Sequence, residues 1–481
     1  MQTSRSTEAL VALEDAAPDV LFETVPGTEI QLWPLLRWPV ARSMAAAELN
    51  TGAVRRAVTR KDLLLRKIRQ FTPNPFASSR LRTPADSLFI VDGGTFATTG
   101  DGRKNWLVED HAAAVDGAVI LQDLPIDLFT PRAERPRYRR TFSFEDAAAT
   151  VRDRARAQPP SEAAVAHARS MIARVYDLLD FEVTPALRAE AERNLLVRLG
   201  RAPHTLELFD RLLDRVQPRM AFVQTGAYGD RSHLIARLKS GGTRVAEHQH
   251  GWIGPSHGAY NFGAAMREAP LVASVPDTLL TFGEFWSDSV RFATETVAVG
   301  KPHLEQAAMS TRPPSDRDRV VMVVSSVYDR EEVTRFTLLL RDLLPSEWRV
   351  TLRPHPRERS TVAQLYPGLA GQQRVSFDLE PDVYESLGAV RGVIGLASTV
   401  LYEALALGCE VYVKDSPLAD LYIEDGLFGE RITDDASLER AAASIVANAG
   451  SEAITYPKDL LDSIWKPNAV ENLRAFTAST R

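Results

Sequence analysis

The chain has one cysteine, Cys409, among 481 residues. A single thiol excludes an intramolecular disulfide and a cysteine-rich zinc site. Cys409 sits in the apolar run from Leu405 to Val413, where a small buried residue is expected rather than a nucleophile. Strong charge of one sign is also missing. The net charge is −6, from 57 basic and 63 acidic residues, so nothing favours nucleic acid as a partner. There is no Gly-x-Gly-x-x-Gly or Walker loop, which argues against dinucleotide or ATP chemistry. No Gly-x-Ser-x-Gly elbow supports a serine hydrolase. The most apolar stretch, Gly388 to Val413, is interrupted by Arg391 and Glu403 and does not read as a membrane span. Met1 to Val20 lacks the apolar core of a signal peptide. The expected location is the cytoplasm.

What is present is an ordinary globular composition, 44% hydrophobic and 25% charged, in a chain long enough for two or three domains. Phe22 to Arg42 is aromatic and apolar and should pack in the first domain. Thr51 to Phe71 is basic and reads as a helix. Its Arg55, Arg56, Arg60, Lys61, Arg66, Lys67 and Arg69 fit a solvated face. The segment 55–69 also offers peripheral contact with the inner membrane. Phe144 to Val216 has helical spacing. Short apolar strands then alternate with helices: Met220 to Gln224, Thr243 to Ala246, Thr278 to Phe282 and Thr296 to Val299. Lys301 to Arg319, rich in proline and charge, reads as a linker. A second alternating series follows: Val320 to Val324, Arg349 to Leu352, Arg374 to Phe377, Val390 to Ile394 and Glu410 to Val413. A last helical stretch lies near Asp459 to Thr477. Such alternation predicts α/β architecture with parallel sheets in two Rossmann-like domains. The expected division is 1–305 with a helical insertion at 144–216, a linker 306–319, a second domain 320–448, and C-terminal helices 449–481 that return to the first domain.

Three constellations carry chemistry. Glu247-His248-Gln249-His250-Gly251 with His257 follows a strand and holds three of the chain's nine histidines. Histidine titrates near neutral pH and suits proton abstraction from a hydroxyl. Gly251 lets the backbone turn and a ligand approach. In extended chain His248 and His250 share a side. Loop histidines that only bond backbone are the bland reading, and the spacing fits no standard zinc site. Second, Arg353-Pro354-His355-Pro356 ends a strand and pre-organises a cation and an imidazole. It reads equally as a turn. Third, Ser398 and Thr399 stand where a strand turns into a helix. They read as a phosphate site at a helix N-terminus, or as an ordinary cap. Glu403 lies one turn later on the same face and suits a ribose hydroxyl. Asp316-Arg317-Asp318 matches an Asp-x-Asp metal pattern, but it precedes a strand and reads as solvated charge.

Three stretches resemble bacterial surface-polysaccharide glycosyltransferases of the two-Rossmann, GT-B type. They are the Glu247 to Gly251 segment with His257 and Tyr260, then Phe282 to Trp286 with Val299 to Pro302, then the His-Pro and Ser-Thr signatures. Polysialyltransferases and CDP-glycerol glycerophosphotransferases share the last two. The resemblance spans Met220 to Val413. It implies two domains facing across a cleft, a donor phosphate held by His355, Arg353, Ser398 and Thr399, and a ribose at Glu403. His250 is then the base, with Glu247 and His248 as competitors, and Gly251 and His257 lie on the acceptor side. The implied reaction is metal-independent, inverting transfer from a nucleotide-sugar, a CMP-sugar or another, to a glycan or lipid-linked glycan, without a cofactor. A CDP-polyol phosphotransferase, a nucleotide-sugar 2-epimerase and a non-catalytic glycan-binding component of an export assembly are the alternatives.

Overall fold

Continuous apolar runs such as Val-Val-Met-Val-Val at 320–324 can be buried on both faces only in a parallel sheet covered by helices. The computed structural model describes residues 1–50, 64–65, 68–69, 71–99, 102–125, 135–325, 330–356, 358–450 and 456–479, without the side chains of 97–99 and 124–125. The chain divides into a first unit, Thr3–Val299 with Val470–Arg481, and a second, Met1–Gln2 with Gly300–Ala469. Each is a parallel α/β sheet, as the GT-B reading requires.

In the first unit, seven strands lie in the order β5-β4-β1-β6-β7-β8-β9. They are β1 (Ser87–Gly93), β4 (Ala118–Pro125), β5 (Thr141–Ser143), β6 (Met220–Val223), β7 (Arg244–His248), β8 (Thr278–Thr281) and β9 (Glu295–Ala298). Every neighbouring pair is parallel. A small antiparallel hairpin, β2 (Phe96–Thr99) and β3 (Gly102–Asn105), stands apart. The chain builds β4 and β5 on one side of β1, then returns to build β6 to β9 on the other. That reversal is a topological switch point at the carboxyl ends of β1 and β6, the place where such sheets bind ligands. The helical region is three helices, Glu145–Ala157, Glu162–Leu178 and the 32-residue Pro185–Val216. The last starts with Thr184 as cap and proline in its first turn.

The second unit repeats the plan with the order β12-β11-β10-β13-β14. Its strands are β10 (Val320–Val324), β11 (Arg349–Arg353), β12 (Val375–Phe377), β13 (Gly392–Gly395) and β14 (Glu410–Val413), all parallel. Here the reversal lies between β10 and β13. Ser325 follows one of these strands and Ser398 the other.

Several expectations change. The stretch read as a linker begins with a helix, Pro302–Ser310, and the division falls at Gly300. Within Asp316-Arg317-Asp318 the carboxylates are exposed, but Arg317 is buried and donates to the carbonyl of Leu407 and to Cys409 Sγ. Cys409 is itself fully buried, and burial pushes its thiol up to about 11. The last helical stretch is two helices, Lys458–Ile464 and Ala469–Ala478. Pro467 and the left-handed Asn468 (φ 61°) separate them. The second helix places Leu473 and Phe476 in the core of the first unit beside Phe89 and Phe222. Most of the basic stretch 51–71 lies outside the described residues. Of its cations, Arg69 is buried and bonded to Glu145 Oε1 at 2.7 Å, so it offers no charge to a lipid surface. No helix among the described residues is long and apolar enough to cross a membrane.

One buried ion pair fixes the N-terminal helices against the segment that carries the site. Glu14, on Arg5–Ala16, is fully buried and accepts from Arg37 Nε at 2.7 Å, Trp33 Nε1 at 2.8 Å and the Gly263 amide at 2.8 Å. Arg37, on Leu32–Glu48, also donates to the carbonyls of Gly258 and Asn261 and lies over the Phe262 ring. Gly263 must be glycine for this approach, because a Cβ there would lie 2.4 Å from Glu14 Cβ. Glu14→Ala leaves a buried guanidinium without its charge partner. It should cost about 3–5 kcal/mol in a denaturant titration.

Candidate functional site

β7 delivers the histidine segment to the carboxyl edge of the first sheet. Successive strand residues point to opposite faces, so Glu247 and His248 part company. His248 is buried against Phe89 and Phe222, with Nε2 3.1 Å from Nδ1 of His111. The Thr477 hydroxyl donates to the Leu473 carbonyl, so it accepts from His111 Nε2–H at 2.9 Å. His111 Nδ1 then accepts from His248 Nε2–H. Burial holds the His248 imidazole down at about 3 and pushes His111 well below its usual range. This pair stitches the C-terminal helix to the sheet. His248 is therefore a packing residue and not a catalytic candidate. It also does not share a side with His250, because the strand ends at His248 and the chain turns away.

The other face gathers a continuous set of side chains. Glu247 is fully buried and accepts from the Tyr260 hydroxyl at 2.6 Å and the Ala227 amide at 2.8 Å. Tyr260 lies 3.4 Å from His250 Nδ1. His250 Nε2 lies 3.5 Å from the Tyr228 hydroxyl, which is 3.3 Å from His257 Nε2. His257 Nδ1 accepts from the Ala259 amide at 3.3 Å.

The amide can only donate, so His257 Nδ1 accepts. His257 carries its proton on Nε2 and gives it to the Tyr228 oxygen. The Tyr228 hydroxyl is within reach of His250 Nε2, and where it donates there that nitrogen carries no proton. His250 carries its proton on Nδ1, directed at the Tyr260 oxygen, and Tyr260 donates to Glu247. With that direction His250 is a neutral, partly exposed imidazole whose Nε2 faces Tyr228.

Burial sets the proton affinities at the two ends in opposite directions. It raises the Glu247 carboxyl to about 8, against the pull of Tyr260 and the Ala227 amide. It lowers His250 to about 4 and His257 to about 3. Gly251 does not need to be glycine for its backbone. It has no left-handed φ, and a Cβ there would meet nothing within 4 Å. The space beside it is open.

Two residues here were not foreseen from the sequence. Tyr228 lies on the turn Gly226–Tyr228 after β6, and Trp38 stacks on it with centroids 4.5 Å apart. Trp38 also stacks on His257 at 5.5 Å. The Tyr228 turn is tightly made. Thr225 sits at φ 54°, and a Cβ on Gly229 would fall 1.9 Å from the Pro34 carbonyl oxygen. The available signal was two glycines, Gly226 and Gly229, between a strand and a helix. At the reversal itself Arg231 grips Asp92 at 2.6 Å and the Gln224 carbonyl at 2.8 Å.

In the second unit, Ser398 caps the helix Thr399–Ala406 and accepts from the Val400 amide at 3.2 Å. Thr399 opens that helix and is partly exposed, while His355 is exposed just beyond β11. The His355 amide donates to Ser325 Oγ at 3.0 Å. Ser325 reaches Glu358, which is buried and held by Arg330 at 2.7 Å. Ser325, Glu358 and Arg330 were also missed.

Arg353 and Glu403 depart from their expected roles. Arg353 is buried, bound to Asp378 at 2.5 Å, Ser386 Oγ at 3.1 Å and the Glu380 carbonyl at 3.1 Å. It braces the loop after β12 rather than facing a phosphate. Glu403 is 4% exposed and paired with Lys301 at 2.5 Å, so a ribose would have to displace an ammonium to reach it. No group of three or more potential metal ligands comes together among the described residues.

No family model matches the chain, and no curated protein matches it in sequence. Solved structures are similar to it. One is a putative UDP-N-acetylglucosamine 2-epimerase from Listeria monocytogenes, at 9% identity and a TM-score of 0.46, covering 82% of this chain and 95% of that one. Another is the Methanocaldococcus jannaschii UDP-GlcNAc 2-epimerase in complex with UDP-GlcNAc and UDP, at 11% identity and 0.44, covering 82% and 99%. A third is the glycotransferase of kitacinnamycin, at 12% identity and 0.36, covering 83% and 96%. At such identities and TM-scores the likeness says nothing of activity.

The Glu247 carboxyl has a consequence for stability. Its folded pKa, about 8, lies above that of the unfolded chain. It therefore favours the fold fully below the usual carboxylate range and loses that contribution as pH rises to about 8. Glu247→Gln removes the loss. Relative to wild type, the variant should gain up to about 1.4 kcal/mol per pH unit through this window in denaturant titrations.

Proposed function

We propose that the protein is a metal-independent, inverting glycosyltransferase that moves a sugar from a nucleotide donor to a hydroxyl of a glycan or lipid-linked glycan. The observation that carries this reading is the directed chain from His257 through Tyr228, His250 and Tyr260 to Glu247. It passes through His250, just beyond the carboxyl end of β7, to a buried carboxyl, and an imidazole backed by such a carboxyl is equipment for taking a proton from an alcohol.

In this proposal the acceptor binds the first unit, its hydroxyl taking the place of the Tyr228 hydroxyl at His250 Nε2. The hydroxyl oxygen forms a bond to the donor's anomeric carbon as the bond from that carbon to the phosphate oxygen breaks. The acceptor proton passes to His250 Nε2. His250, held near 4, is a poor resting place for it, whereas Glu247, near 8, is a good one. The Nδ1 proton therefore moves to Tyr260 and the Tyr260 proton to Glu247. His250 is the group that touches substrate, and Glu247 is the proton's destination.

The electron pair of the broken bond goes to the leaving phosphate. That charge is assigned to the second unit: the exposed His355, Thr399, and the amides at the start of Thr399–Ala406. Ser398 acts as the cap of that helix. Arg353 and Glu403 are left out, because both are already paired. Contact with an anionic membrane surface through 55–69 belongs to the same proposal and would rest on cations other than Arg69.

A thermal-shift screen of the whole chain with CMP, CDP, UDP and GDP tests the donor half. One nucleotide should raise the melting temperature, and no response to any of them contradicts the proposal. His355→Ala should lower turnover by on the order of 10²–10³. With the responding nucleotide's sugars as donors, turnover should rise with pH through about 8 as Glu247 ionises, and Glu247→Gln should lose that limb. Conversion of free nucleotide-sugar without an acceptor would instead identify an epimerase.

A further inference from the structure

The second unit holds a histidine–carboxylate pair that the proposed chemistry does not use. His303, on the helix Pro302–Ser310, bonds through Nε2 to Asp382 Oδ2 at 2.9 Å. Asp382 Oδ1 accepts from the Tyr384 amide at 2.9 Å. Burial works to raise this carboxyl, but the bond from His303 outweighs it and holds the group below the usual carboxylate range. An ionised carboxylate can only accept, so the His303 proton lies on Nε2. Nδ1 is then bare in the neutral ring, and it has no partner among the described residues. That nitrogen is not sealed in, and the side chain is 19% exposed.

The course of the chain places the pair at the ligand edge of the second sheet. β12 ends at Phe377, so Asp378 to Asp382 continue from its carboxyl end. The helix Val383–Leu387 then runs back toward the start of β13. Arg353, at the carboxyl end of β11, holds this loop and helix through Asp378 and Ser386. Tyr384, on the same helix, is bonded to Glu403, one turn after Thr399. Its ring packs against that of His303, with centroids 4.7 Å apart. His303 and Asp382 thus stand at the edge that carries His355 and Thr399. One tyrosine joins them to the helix that Thr399 opens.

The pair suits a hydroxyl. A bare imidazole nitrogen accepts a hydrogen bond from an alcohol and has no proton to offer a phosphate oxygen. Glu403, first expected to take a ribose, is closed off by Lys301. A nucleotide carries its ribose hydroxyls only a few bonds from the phosphate, so a donor held at His355 and Thr399 needs an acceptor for them along this edge.

We propose that His303 Nδ1 accepts a hydrogen bond from a ribose hydroxyl of the donor, and that Asp382 positions the ring for it. The protein is then selective for ribonucleotides. The inference rests on the transferase reading for the presence of a nucleotide donor. A site built to bond a hydroxyl rejects the analogue that lacks it, because its own polar group is left unpaired.

The test is calorimetry on the whole chain with the nucleotide that raises the melting temperature and with its 2′-deoxy and 3′-deoxy forms. One deoxy form should bind about tenfold more weakly than the ribonucleotide, or worse. His303→Ala should bring that ratio near one by weakening the ribonucleotide alone. Unchanged binding of the deoxy form shows that the variant is folded. Asp382→Asn keeps its one oxygen on the Tyr384 amide and turns its NH₂ toward Nε2, which drives the ring proton to Nδ1. It should lower the ratio as well. Equal binding of all three forms, a ratio unchanged in either variant, or a loss shared by ribonucleotide and deoxynucleotide overturns the proposal. The two readings fail separately. Nucleotide binding without ribose discrimination sinks this inference alone, whereas no response to any nucleotide sinks the donor reading and this inference with it.

Discussion

The burial of Glu247 is the constraint on which the candidate site depends. A carboxyl with no solvent contact must have its oxygens satisfied by protein, or the fold loses several kcal/mol. Here the partners are a tyrosine hydroxyl and a peptide N–H. The same Tyr260 hydroxyl makes Glu247 the end of a hydrogen-bonded sequence rather than an isolated buried acid. At the other end, the Ala259 amide donates to His257 Nδ1. One backbone group and one buried carboxyl thus bracket the two tyrosines and His250.

That arrangement is held from two directions. The Glu14–Arg37 pair ties the N-terminal helices to the carbonyls of Gly258 and Asn261, which flank Tyr260. On the opposite face of the sheet, His111 and His248 tie the C-terminal helix beneath the same strand. Both ends of the chain therefore bear on β7 and the segment after it. The two sets of polar groups respond to acid in opposite senses. Buried neutral histidines favour the fold above their usual range and lose that contribution as pH falls, whereas Glu247 loses its contribution as pH rises.

Much of the fold could be read from the sequence, because parallel strands announce themselves as short apolar runs spaced by helices. The strands from Met220 to Val413 appear where that pattern places them, with ends displaced by no more than two residues. His250, Glu247 and His257 could be named because they crowd one strand end. Their roles could not, because roles came from partners. Tyr228 and Trp38 enter from a turn and a helix that carry no polar signature. His248 and His250 look equivalent in extended chain and separate only because the strand stops between them. Arg353 and Glu403 looked available because their ion-pair partners lie 25 and 102 residues away. Local pattern locates a charged residue at a sheet edge. It does not say whether another charge already occupies it.

The central claim is that His250 is a neutral imidazole bare at Nε2, oriented by its neighbours. It needs no knowledge of the donor to be tested. Long-range ¹⁵N–¹H correlation spectra of the ¹⁵N-histidine-labelled protein at pH 7 report the tautomer of each ring directly. The account predicts the proton of His250 on Nδ1 and that of His257 on Nε2, with both assignments made by single substitution. A His250 ring protonated on Nε2, or charged at that pH, would contradict it.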